Sequence, residues 1–151
     1  MTFRSILVAD DMMEVSQPAL DEAVNLAKLS HAKLTIVSAI PVVSPSFGIP
    51  VPMGDSFTAL MESAEKRLAA LKEKLEKEGV PEVETALLEG DAVDGVVGYV
   101  QQQQPDLIVV GSRGLSAAGR FLLGSVSDGI LHHVHCSVLV VRARAGAKSP
   151  E

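Results

Sequence analysis

The chain has 151 residues, a formal net charge of -6, 47% hydrophobic and only 3% aromatic residues, which suits one domain with a core of Val, Leu, Ile and Ala. The acidic balance excludes a protein that grips nucleic acid through massed Lys and Arg, and no apolar run approaches the ~18 residues of a membrane helix. Met1-Thr2-Phe3-Arg4-Ser5 leads into two aspartates rather than a secretory signal, and a lone cysteine, Cys136, fits a reducing compartment, so a cytoplasmic protein is expected.

Ser5 to Asp10, an apolar run closed by carboxylates, is the expected first strand. A helix is expected to start between Ser16 and Pro18, because proline suits a first turn that needs no N–H. Its Leu20, Ala23, Val24 and Ala27 recur at helical spacing and form one buried face. Leu34 to Ile40 is the second strand, ended by Pro41. Pro41 to Asp55, with four prolines and two glycines, reads as a long loop that is functional or mobile. Its Val42, Val43, Phe47, Ile49, Val51 and Met53 are apolar enough to cover a ligand or a partner, or to pack on their own domain.

Asp55 or Ser56 caps a second helix that runs to Gly79, with Leu60, Ala64, Leu68, Leu71 and Leu75 as its inner stripe. Glu65, Lys66, Arg67 and the charged residues from Lys72 to Glu78 read as its solvated face. Val83 to Leu88 is the third strand. Asp91 caps a third helix with Val93, Val96, Val97 and Val100 inward and Gln101 to Gln104 as a frayed end. Leu107 to Val110 is the fourth strand, Ser125 to His135 the fourth helix and Val138 to Val141 the fifth strand. The small, polar tail from Ala143 to Glu151 is expected to be disordered, leaving residues 1–142 as the domain.

Strands alternating with helices indicate an α/β fold, a parallel sheet with right-handed crossovers and helices on both faces. In the doubly wound order 3-2-1-4-5, strands one and four meet at the switch point, where ligands bind at the carboxyl ends. Ala9, Asp10 and Asp11 close strand one. Strand four leads into Gly111-Ser112-Arg113-Gly114, and Gly124-Ser125-Val126-Ser127 opens the next helix. Glycines at a strand exit permit a sharp turn and close approach to a ligand. A helix start with two hydroxyls supplies donors and a positive dipole end suited to phosphate. No Lys lies between Gly111 and Ser127, so this is not a Walker loop.

The spacing Gly-x-x-Gly, nine residues, Gly-Ser resembles the ATP-binding branch of the universal stress protein family, and the likeness runs from Ile6-Leu7-Val8-Ala9-Asp10-Asp11 to Arg142. The resemblance implies a Rossmann-like nucleotide-binding fold that holds ATP, with Mg²⁺ on the phosphates and no metal ligand from the protein. It implies that Asp11 holds the nucleoside, with Ala9 and Asp10 beside it, and that Ala39 lines the adenine. Val110, Gly111, Arg113 and Gly114 would face ribose and phosphate, and Gly124, Ser125, Val126 and Ser127 would form the phosphate-binding helix start. Asp10 and Met13 depart from the family pattern, and a second carboxylate repels a polyphosphate unless it binds through a metal or points away. The family pattern also implies a homodimer through strand five, at Val138, Leu139, Val140 and Val141.

Ile-Leu-Val-Ala-Asp-Asp also resembles the first strand of response-regulator receiver domains. That reading is set aside, because strand three ends in Glu89-Gly90 rather than Asp and strand five in Arg142 rather than Lys. His132, His133, His135 and Cys136 are candidate metal ligands, but neighbours on one helix diverge. The expected function is regulatory ATP binding in stress response, read by an unknown protein partner and without a dedicated catalytic residue. The alternatives are a slow ATPase or nucleotidyl-transfer enzyme, and an interaction module for another adenine nucleotide such as a cyclic one.

Overall fold

The computed structural model describes residues 2–10, 17–40, 55–112 and 125–142. Its strands are β1 (Ser5–Ala9), β2 (Lys33–Ile40), β3 (Glu82–Glu89), β4 (Leu107–Gly111) and β5 (Ser137–Val141). Its helices are α1 (Gln17–Ser30), α2 (Asp55–Lys77), α3 (Ala92–Gln103) and α4 (Ser125–His133). The five strands form one parallel sheet in the order β3-β2-β1-β4-β5, as the alternating pattern predicts.

Side chains alternate across a strand, so each strand feeds two cores. Ile6, Val8, Leu34, Ile36, Leu107 and Val109 pack with α1 and α2 on one face. Leu7, Val37, Ile108 and Val110 pack with α3 and α4 on the other. Burial on both faces is why these strands read as unbroken apolar runs rather than alternating ones. At the far end of the sheet, Asp106 Oδ2 accepts from the N–H groups of Arg4 at 2.7 Å and Ser5 at 2.9 Å, which pins β1 beside β4.

α1 buries Ala19, Leu20, Ala23, Val24 and Ala27, the face its spacing predicts. α2 buries Ala64, Leu68 and Leu75, but Leu60, expected on the same stripe, is 52% exposed. Length accounts for the difference. The 23 residues of α2 rise about 35 Å. The eight residues of β2 and of β3 span only about 26 Å. The turn bearing Arg67 is level with the end of β1, so Leu60, about two turns nearer the helix start, lies past the end of that strand.

α3 carries the expected cap, with the Asp94 N–H donating to Asp91 Oδ1 at 2.9 Å. Gln101–103, expected to fray, are helical: Gln104 takes the left-handed conformation at φ 49° and returns its N–H to the Val100 carbonyl. β4 runs one residue further than expected, because Gly111 still pairs with Val141. β1 pairs only to Ala9, and α4 ends at His133. The loop expected from Pro41 and the tail from Ala143 fall outside the described residues.

Candidate functional site

The sheet opens where the switch point was expected. Among the described residues, β1 and β4 are paired from Ile6↔Leu107 to Val8↔Val109 and no further. Beyond that level β1 stays with β2 through Ala9↔Val37 and through the Asp10 N–H, which donates to the Val37 carbonyl at 2.9 Å. β4 stays with β5 through Gly111↔Val141 and the Ser112 N–H, which donates to the Val141 carbonyl at 3.0 Å. The two central strands thus separate at their carboxyl ends, with Ala9 and Asp10 on one lip and Val110, Gly111 and Ser112 on the other. Ala39 lies one strand away on β2, next to the pair Ser38 and Leu87.

α4 begins over the second lip. Ser127 is buried, and its hydroxyl donates to the carbonyl of Gly111. This bond ties the first turn of α4 to the last residue of β4, and it gives Ser127 a partner that sequence reading did not foresee. Ser125 and Val126 open the same helix, where backbone N–H groups lack intrahelical acceptors. Of the residues expected at the site, Asp11, Arg113, Gly114 and Gly124 lie outside the described residues. The described ones, Ala9, Asp10, Ala39, Val110, Gly111, Val126 and Ser127, belong to strand ends and a helix start around this separation.

Asp10 turns away from the crevice. It shares the parity of Ile6 and Val8, which face α1 and α2, and its side chain is 1% exposed. Its Oδ2 accepts from Arg67 Nη1 at 2.8 Å. Arg67 had read as part of the solvated face of α2, and here it bridges helix and sheet with a side chain 37% exposed. A signal was present in the sequence: Arg67 follows Ala64 by three and precedes Leu68, so it borders the buried stripe. Ser38, next in the chain to Val37, is fully buried, and among the described residues its Oγ has no hydrogen-bond partner.

Among the described residues, no three His, Cys, Asp or Glu side chains converge to hold a metal. His132 Nε2 lies 3.2 Å from Asp128 Oδ1, and His133 Nδ1 meets the Gly129 carbonyl at 2.7 Å, so both serve the local structure of α4. Burial pushes the Cys136 thiol up, away from the reactive thiolate. The strand order also separates this sheet from the order 2-1-3-4-5 of flavodoxin-like and receiver folds.

A five-stranded parallel sheet with helices on both faces, in which the order reverses between β1 and β4, defines a doubly wound protein. The chain belongs to the universal stress protein family, whose model matches residues 2–142. It is 32% identical over 142 residues to universal stress protein MJ0531 of Methanocaldococcus jannaschii, covering 93% of this chain and 82% of that one. The universal stress protein UspA of Lactobacillus plantarum superimposes with a TM-score of 0.79 at 26% identity, over 94% of this chain and 99% of its own. A universal stress protein solved in complex with cAMP superimposes with a TM-score of 0.67 at 27% identity, over 94% and 98% of the two chains.

Proposed function

We propose that this protein is a regulatory ATP-binding member of its family, holding the nucleotide in the crevice between β1 and β4. The reading is supported by the pairing of β1 with β4, which among the described residues stops directly before the glycine motif, at the switch point where such sheets bind their ligands. Ala9 and Asp11 border the nucleoside and Ala39 the adenine. Val110, Gly111, Arg113 and Gly114 follow ribose and phosphate, and Gly124, Ser125 and Val126 present the helix start. Ser127 holds that start against β4. Mg²⁺ rides on the phosphates, whose charge it lowers, and needs no ligand from the chain. The protein works as a cytoplasmic homodimer whose occupancy is read by a protein partner.

Hydrolysis is slow or absent in this reading. Phosphoryl transfer needs an oriented water and positive charge at the leaving group. The motif offers at most Arg113 or Arg120, and no Lys, His or Gln. A second occupant, a cyclic adenine nucleotide, is favoured by the relative solved with cAMP.

The test is chromatography of nucleotides released from the purified protein, joined to a melting assay. ATP is expected in the extract, and saturating ATP at ~100 times its dissociation constant adds about 2.7 kcal/mol of stability. Gly124→Val puts a branched side chain at the helix start and abolishes that shift while the fold is kept. An unchanged shift in the variant means that the phosphates bind elsewhere.

A further inference from the structure

We propose that Arg67 is a positioning residue of the nucleotide site, acting through Asp10 to make an acidic strand end compatible with a polyphosphate. The inference rests on the nucleotide reading above.

Asp10 is the residue that follows β1 at the lip of the crevice, next in the chain to Ala9 and Asp11. Its side chain is buried, so water does little to screen its charge. A carboxylate there repels each phosphate charge that enters, and the repulsion is strongest where the surroundings are least polar. Two features of the structure remove this conflict. The strand parity sends the carboxylate to the α2 side of the sheet, away from the parted strands, with Ile6 and Val8. The Arg67 guanidinium then meets it at 2.8 Å and supplies a positive charge.

Stability is a poor account of this pair. Burying the Asp10 carboxylate costs desolvation that its attraction to a part-exposed Arg67 roughly repays, and an apolar residue can fill such a buried position equally well. The electrostatic consequence for the neighbouring crevice is more specific. The pair contributes no net charge, the Arg alone would add one positive charge, and the Asp alone one negative charge. Affinity for a ligand should follow that count in proportion to the ligand's own charge. A purely structural role predicts no such dependence.

The experiment is calorimetric titration of ATP and of adenosine into the full chain, stripped of nucleotide, at low salt and without Mg²⁺. The ratio of the two affinities is the readout. In Asp10→Asn the ratio rises about tenfold, and in Arg67→Gln it falls about tenfold. Arg67→Lys, which keeps the charge, stays near the wild-type ratio, and the double variant Asp10→Asn/Arg67→Gln returns towards it. Both shifts shrink at high salt. If Arg67→Gln does not fold because the buried Asp10 carboxylate has lost the guanidinium, Asp10→Asn and the double variant still decide the matter. A ratio that ignores these charges, or ATP and adenosine affinities that fall together, overturns the role of Arg67 while leaving the site in place. A wild-type chain that binds neither ATP nor adenosine overturns the nucleotide reading and this inference with it.

Discussion

The hydroxyl of Ser127 donates to the main-chain carbonyl of Gly111, so the first turn of α4 is fastened to the last residue of β4 across sixteen positions of sequence. The exit of β4 and the start of α4 are thereby held together by a part-buried bond.

Ser127→Ala removes the donor and leaves a carbonyl without it. A buried neutral hydrogen bond contributes about 1 kcal/mol, and an orphaned partner raises the loss to about 1–3 kcal/mol. Urea denaturation should show a lower midpoint with an unchanged slope. Nucleotide affinity should fall as well, since the helix start is no longer set against the strand. A variant as stable as the parent would mean that the bond contributes nothing.

Two glycines of the helices on the other face should respond in opposite ways. An added Cβ at Gly98 meets nothing within 4 Å, so Gly98→Ala gains about 0.5–1 kcal/mol from helix propensity and a less flexible unfolded chain. At Gly129 the same atom falls 2.8 Å from both Cγ atoms of Val93, where α4 crosses α3. Gly129→Ala should lose about 1 kcal/mol net, overpacking exceeding the propensity gain. Adding Val93→Ala should recover part of that loss, and thermal melts of the parent, the two single variants and the double variant measure the coupling.

Ser38 offers a stabilising substitution. Its Oγ is fully buried without a hydrogen-bond partner among the described residues, and such a group costs about 1–3 kcal/mol. Ser38→Ala removes the unsatisfied hydroxyl at the expense of a small void, and the midpoint of chemical unfolding should rise. A lower midpoint would show that the hydroxyl has a partner in solution.

Cys136 should be a slow thiol. Burial, opposed weakly by a backbone hydrogen bond, raises its titration above that of an ordinary cysteine. Iodoacetamide should therefore label the folded protein more slowly than a cysteine peptide, with a rate-against-pH curve displaced to higher pH. The unfolded thiol ionises first as the pH rises, so above its ordinary range unfolding releases a proton and stability declines. Labelling as fast as the peptide at the same pH would contradict this.

Dimerisation is expected through β5. The strand is a sheet edge, yet Val138, Leu139, Val140 and Val141 carry no charge, and their side chains are only half-buried. The opposite edge is blunted by Glu82 and Glu84, the latter paired with Lys33 at 2.8 Å. Val140→Pro removes a ladder donor and should weaken the dimer more than Val140→Thr does. Light scattering at ~10 µM, with and without ATP, reports the mass, and a monomer under both conditions rules the interface out.

Much of this architecture was legible in the residues alone. Apolar runs bounded by Pro, Gly and Asp gave five strands, and Leu20, Ala23, Val24 and Ala27 gave the buried face of α1, because burial on a helix follows its period. Asp91 announced its own cap, since the bond it makes is local. Alternation of strand and helix, with right-handed crossovers, sufficed for the class of sheet and for the place of its switch point. Local periodicity could not tell that Leu60 is exposed while Leu68 is buried, because that depends on where α2 docks against the strands beneath. Nor could it join Asp10 to Arg67, 57 positions apart, or Gly111 to Ser127. A charged residue on a helix reads as solvated until packing brings an opposite charge within reach. Only the docking of α2 on the sheet, and of α4 on β4, decided which of these polar groups would meet.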